Sequence, residues 1–275
     1  MGRNIIFMTE TKRDYMFGPD SMMWKINRES VLLLGGRAAL LMQLAHPLVA
    51  AGVADHSDFR ADPLARLRRT LESTRAIVFG DVKTAHSSID RINAVHASVK
   101  GESPEGVEYS ALDPRLLLWV HSTLTDAAVS VYESAFGALP EKEIEQYYAE
   151  TRVIAELFGI PESVVPDSLD AMRSWMAEMI ETGDVRVTDQ ARELAEPILR
   201  PLRVIPSRLA RSTALIEAAL LPEPIREGYG LKMRWPGRLV LAAGGRATRA
   251  VLPRLPARIR SLPFRRSSLA FRGSP

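Results

Sequence analysis

Val82, Ala85, Ile89, Ile92, His96 and Val99 follow one another at alternating steps of three and four along VKTAHSSIDRINAVHASVKG. That spacing is one face of an α-helix, and it predicts a helix over about 81–100 with a histidine set in an apolar row. Two neighbouring runs carry their own punctuation. Asp62-Pro63 opens an apolar-periodic run that ends at Gly80, and Asp113-Pro114 opens another that ends at Gly137. Asp as N-cap, Pro at the first helical position and Gly just past the last turn are the expected start and stop signals. Further runs predict helices at about 20–45, 141–158, 166–182, 188–199 and 206–220. No strand pattern of any length appears, VRV at 185–187 being the nearest. The pattern predicts an all-α protein, without the fixed repeat of a solenoid.

One stretch imitates a membrane span. VLLLGGRAALLMQLAHPLVAAGVA, residues 31–54, is long enough to cross a bilayer but is interrupted by Arg37, Gln43 and His46-Pro47. Charge near a bilayer centre is costly, so the stretch reads as a buried helix pair bent at Pro47.

Composition narrows the chemistry. The 275 residues are 46% hydrophobic and 25% charged, as in an ordinary globular protein with a sizeable core. Cys is absent, which excludes a disulfide framework, a thiolate metal site, a Cys nucleophile and covalent c-type haem. The N-terminal stretch MGRNIIFMTETKRDYMFG lacks a signal peptide's apolar core, so a cytoplasmic location is expected. Charge is unevenly spread. From Arg234 onward there are ten Arg and no Lys, Asp or Glu, leaving 26 basic and 33 acidic residues, net −7, in the first 233. Two parts are therefore expected: a helical domain over 1–233 and a basic Pro/Arg-rich extension over 234–275. Leu, Ile, Val and Phe interleave with Pro253, Pro256 and Pro263 in the extension. Such a segment either packs back on the acidic body or makes peripheral contact with an anionic membrane.

Five histidines are the candidate ligands. His46 precedes Pro47 and suits a helix junction. His56 lies in ADHSDF beside Asp55 and Asp58, a cluster that suits a capping loop better than a metal. His86 is ten residues from His96, about 15 Å along the axis, too far to share one small site. His121 lies on a row with Leu117, Leu124 and Ala128 and is the internal rival to His96. HExxH and GxSxG spacings are both missing, which leaves zinc-peptidase and serine-hydrolase readings without support. Arg66 and Thr70 lie four residues apart on one helix face, with Arg69 alongside. An imidazole facing iron, with Arg and Thr converging on it, would suit a haem, whose propionates pair with guanidinium groups.

In chain order, GRAALLMQLAHPLVAAGVADHS, RLRRTLEST, AIVFG, VHASVKG and DPRLLLWVHSTL together resemble the MpaB / rubber oxygenase catalytic-domain family, which includes the latex-clearing proteins. The resemblance covers about residues 30–220. It implies a single helical domain enclosing a non-covalent b-type haem, and oxidative cleavage of carbon–carbon double bonds with molecular oxygen. His96 matches the family's proximal iron ligand, with His121 the alternative, and Arg66 and Thr70 match its Arg-x-x-x-Thr pair. Arg69 stands where rubber oxygenases carry a Lys able to cap the iron, and a guanidinium is a poor ligand. The partners implied are oxygen and a small hydrophobic molecule such as a terpenoid or polyketide. Polymeric rubber is not expected, nor is nucleic acid, since nothing resembles a recognition helix. The competing expectations are a non-enzymatic helical binding protein using its basic tail on an anionic partner, and a haem sensor or carrier.

Overall fold

A computed structural model of the chain describes residues 15–56, 63–199, 215, 218–231, 248–256 and 260–261. It is mostly helical, as the periodicity predicts. Helix α1 (Met22–Asn27) starts on Ser21, whose hydroxyl accepts the Trp24 N–H, and its first turn is also capped from afar. The Glu150 carboxylate accepts the N–H groups of Met22 (3.2 Å) and Met23 (2.6 Å). A 3-10 turn (Ser30–Leu34) leads into α2 (Gly36–Leu44) and α3 (Pro47–His56). The single helix expected over 20–45 is thus three pieces. It breaks first at Glu29, which is extended, and again at Gly35, where a Cβ would come within 2.9 Å of Val131. A side chain there would push the 3-10 turn off the central helix.

The bend expected at Pro47 is present: Ser30–Leu44 and Pro47–His56 turn through 101°. Proline has no N–H, so the Gln43 carbonyl takes the His46 N–H instead (3.2 Å). The other carbonyls freed at the end of α2 are satisfied from distant elements. Met42 O accepts the Trp119 indole N–H (3.1 Å) and Ala45 O accepts the Arg186 N–H (2.9 Å). These long-range bonds satisfy carbonyls at a buried bend, as a helix end requires. No helix among the described residues is long and apolar enough to cross a membrane.

Helices α4 (Pro63–Phe79) and α5 (Val82–Ser98) form a hairpin, followed by a small antiparallel ribbon. In it β1 (Lys100–Glu102) pairs with β2 (Glu108–Ser110), with Gly101 opposite Tyr109. This ribbon was not anticipated, because three-residue strands are too short to show a period. Ser103-Pro104-Glu105-Gly106 makes its turn, with Gly106 at φ 77°. VRV at 185–187 is not a strand; its Arg186 N–H serves α2, as above.

Helix α6 (Pro114–Phe136) is the hub, packing on α2, α7 (Glu141–Leu157) and α8 (Leu169–Glu181). Its start matches the sequence signal, the Asp113 carboxylate accepting the N–H groups of Arg115 and Leu116 ahead of Gly137 at φ 96°. Trp119, in its second turn, is fully buried, edge-on to Trp175 at 6.1 Å between ring centroids and 6.2 Å from His46. Leu169, Met172, Met176 and Met179 on α8 enter the same core and so are packing residues in this fold. Helices α9 (Asp189–Leu199) and α10 (Glu223–Gly228) close it, α10 unanticipated; only 215 and 218–220 of the helix expected over 206–220 are described, all helical.

Most of the 234–275 extension lies outside the described residues, but two of its arginines reach the body. Arg249 Nε donates to Ser134 O (3.0 Å). Arg260 pairs with Glu29 (2.5 Å), lies 5.2 Å above the Phe136 ring, and receives the Ser30 hydroxyl on its carbonyl (2.6 Å). Glu29 is 1% exposed, so its charge depends on that guanidinium. Removing one member of a buried pair strands the other at a cost of about 3–5 kcal/mol. Arg28 also lies 3.3 Å from the same carboxylate oxygen, which places the expected loss at the low end. Arg260→Ala is expected to lose about 3 kcal/mol in urea denaturation. Glu29→Gln combined with Arg260→Met is expected to recover most of it, since no buried charge is then left unpaired and Arg28, which also loses Glu29, is 35% exposed to water.

Candidate functional site

The α4–α5 hairpin carries the residues singled out by sequence. Only Gly80 and Asp81 connect the two helices, and a Cβ on Gly80 would lie 2.3 Å from the Ala76 carbonyl. A turn this tight is open to glycine alone. Asp81 then starts α5 by accepting the Thr84 N–H (2.7 Å), and these hydrogen bonds from Thr84 hold its carboxyl below the usual range.

The two helices pack on one another after that turn. Arg66 is 14 residues before Gly80 and His96 is 15 residues after Asp81. Thr70 lies about 6 Å nearer the turn than Arg66 along α4, at 1.5 Å per residue. The described side chains of α4 begin at Arg68, so Arg66 is placed by its backbone. Arg69 is exposed and Thr70 half-buried.

Along α5 the row read from sequence is real but graded. Ala85 and Ile89 are buried, whereas Ile92 and His96 are half-buried and Val95 is 57% exposed. His96 occupies the last turn, its carbonyl accepting the Val99 N–H (3.0 Å) where the chain passes into the ribbon. Its Nδ1 is shut off from solvent. His86, exposed on the outer face, has no part in this arrangement.

His121 is half-buried on α6, with an Nε2 that has neither solvent nor a hydrogen-bond partner. The hydroxyls of Ser88 and Ser122 and the Asn93 Oδ1 are likewise buried and without partners. Buried polar atoms normally find a partner. Four that do not, on two successive helices, are the atoms one expects to face a bound group or ordered water. Sequence reading overlooked Ser88, Asn93 and Ser122. The available signal was a small polar residue at an inner helix position, where packing prefers an apolar one.

The other histidines are structural. His46 is buried, and its Nδ1 accepts the Leu48 N–H (3.3 Å) at the start of α3. His56 Nε2 meets the Lys100 carbonyl (3.1 Å) and Asp55 accepts the Tyr109 hydroxyl (2.5 Å), which ties the ribbon to α3. Burial, and secondarily the Asp55 contact, pushes the Tyr109 hydroxyl up to about 12. Asp58 lies outside the described residues. Among the described residues no group of three His, Asp or Glu side chains could hold a bare metal ion.

The comparisons agree with this layout. Residues 24–253 match the family described as the ER-bound oxygenase mpaB/B'/rubber oxygenase catalytic domain, and the chain belongs to that family. The match takes in α1 to α10, the hairpin and α6 included, and runs past 233 into the basic extension. Uncharacterised proteins of Mycobacterium bovis and Mycobacterium tuberculosis are each 29% identical over 143 residues, 47% of this chain and 52% of the relative. The chain thus spans about half the length of the curated relatives it matches. No solved structure matches it.

Burial holds the imidazoles of His46 and His121 down at about 4, an effect that Asp184 and Asp113 partly oppose at His46. With an ordinary value near 6.5, the unfolded chain binds more protons than the fold between pH 4 and 6.5. Stability therefore falls as pH is lowered through that window, by up to about 3 kcal/mol per ring. His46→Asn retains an acceptor for the Leu48 N–H and removes one titrating group. Urea midpoints at pH 7, 5.5 and 4.5 are expected to fall less steeply in this variant than in the wild type.

Proposed function

We propose that the protein is a haem b-dependent oxygenase that acts on a small hydrophobic molecule with molecular oxygen. The reading is supported by the oxygenase family and by the α4–α5 hairpin, in which the helix of Arg66 and Thr70 packs on the helix of His96. The residues present suit the group. A histidine lies in the last turn of α5, α4 carries Arg66 and Arg69, whose guanidinium groups suit carboxylates, and buried polar atoms without partners lie on α5 and α6. With no Cys in the chain, the haem is held non-covalently.

When bound, the haem supplies the redox-active iron that oxygen chemistry requires. The chain supplies the rest. Neutral His96 would offer Nε2 to the iron. Arg69, exposed on α4, would pair with a propionate, and Arg66 would either pair with the other propionate or direct its N–H groups to where charge develops. Thr70 donates a hydrogen bond into the same space. The hydrophobic substrate class, a terpenoid or polyketide, is carried over from the family resemblance. His121 is the second choice for the axial donor, favoured by its buried Nε2 without a partner. Oxygen turnover, in place of haem sensing or carriage, is the reading the oxygenase family favours.

The purified protein, produced with adequate haem, is expected to show a Soret band that His96→Ala abolishes while circular dichroism stays helical. A band lost in His121→Ala and kept in His96→Ala would transfer the axial role to His121. A wild-type chain that takes up no haem would end this reading altogether.

Arg66 and Thr70 are expected to govern turnover more than haem retention. One well-placed donor in a water-excluded site contributes about 3 kcal/mol to the transition state, or roughly a hundredfold in rate. Thr70→Val keeps the shape and removes only the hydroxyl. Arg66→Ala and Thr70→Val should keep most of their haem and consume oxygen about a hundredfold more slowly with a competent substrate. Wild-type rates in both would make the pair structural, and complete haem loss in Arg66→Ala would make that residue a propionate anchor.

A further inference from the structure

Asn93 lies three residues before His96, on the adjoining strip of α5, where side chains at this spacing are neighbours. Its Nδ2 donates to the Leu157 carbonyl (3.2 Å), one of the last carbonyls of α7, which have no helical donor of their own. A carbonyl can only accept, so this bond settles which end of the Asn93 amide carries oxygen. It also anchors α5 to α7. The amide's other end, Oδ1, is buried and accepts nothing. A buried acceptor left unmade costs about 1–3 kcal/mol, and a smaller apolar side chain would avoid that cost.

We infer that Asn93 is the positioning residue of His96: its Oδ1, held by the clamp on Leu157, accepts the Nδ1–H of the His96 imidazole when Nε2 binds haem iron. The inference rests on the haem reading above. A ligand histidine needs its remaining N–H engaged, because that bond fixes the tautomer, orients the ring and raises its basicity. Asn93 supplies an acceptor on the same rigid helix, from a side chain already immobilised at its far end. The His96 Nδ1 is shielded from water, so the acceptor has to come from protein. Asn93 does not touch the iron or the substrate; it acts through His96.

The test uses haem-loaded wild-type protein, Asn93→Asp and Asn93→Leu. Its readings are the iron–histidine stretching frequency of the ferrous form and the reduction potential. A carboxylate is the stronger acceptor, so Asn93→Asp is expected to raise the frequency and lower the potential. Asn93→Leu has no acceptor and is expected to move both the other way. Both variants lose the donor to Leu157, so a purely structural clamp would lower the stability of both and leave frequency and potential at wild-type values. That result overturns the inference. If Asn93→Asp does not fold, Asn93→Ser, too short to reach Leu157, joins Asn93→Leu in testing loss of the acceptor. A wild-type protein without haem, or one whose haem depends on His121, removes the reading beneath it and is recognised as such before the variants are compared.

Discussion

Pro47 is the constraint on which the rest of the structure depends. It sits in the most apolar part of the chain, deletes one backbone donor and forces a right-angle bend where no water can repair the loss. The repair comes from far along the chain, from the Trp119 indole on α6 and the Arg186 amide beyond α8. Each of these partners has to be where it is for the bend to be tolerated. The Tyr229 hydroxyl, after α10, adds a further bond to Leu41 O (2.9 Å). The carbonyl end of α2 is thus the junction at which three distant segments are brought into register.

The rigidity of that junction passes to the site through α6. This helix is held near its start by Trp119, and it carries His121 and Ser122 two and three residues later. The α4–α5 hairpin reaches the same core through Ile77, Val78, Phe79 and Ile89 near its turn. Its open end, with Arg66, Thr70 and His96, lies away from those contacts. Apolar surface near the turn supplies the stabilisation, while buried polar atoms toward the open end give up some of it.

The basic extension plays a different part. Ten arginines without a counter-charge would repel one another as a free tail. At the described positions two of them meet the body at the α1–α6 end, one on a backbone carbonyl and one on a buried carboxylate. Glu29 has to be extended to offer that carboxylate and to bridge Ser261, which is why the helix expected over 20–45 stops there. A local break in helix and a long-range charge pair are one feature.

Helix periods, the Asp-Pro and Gly punctuation, the bend at Pro47 and the His96 row were legible in the sequence because each depends on residues within a few turns of one another. The family was legible for the same reason, as ordered short motifs. What the sequence could not hold were pairings between distant residues. Trp119 with Met42, Glu150 with the start of α1, Arg260 with Glu29 and Asn93 with Leu157 are each long-range hydrogen bonds or ion pairs that leave no local period. The ribbon at 100–110 escaped because three-residue strands carry no pattern of their own. Among the candidate residues, spacing gave Arg66 and Thr70 a common face, but only the two-residue turn at Gly80 packs their helix against the one that carries His96. Burial then singled out Asn93 and His121, since an unpaired polar atom is defined by everything packed around it.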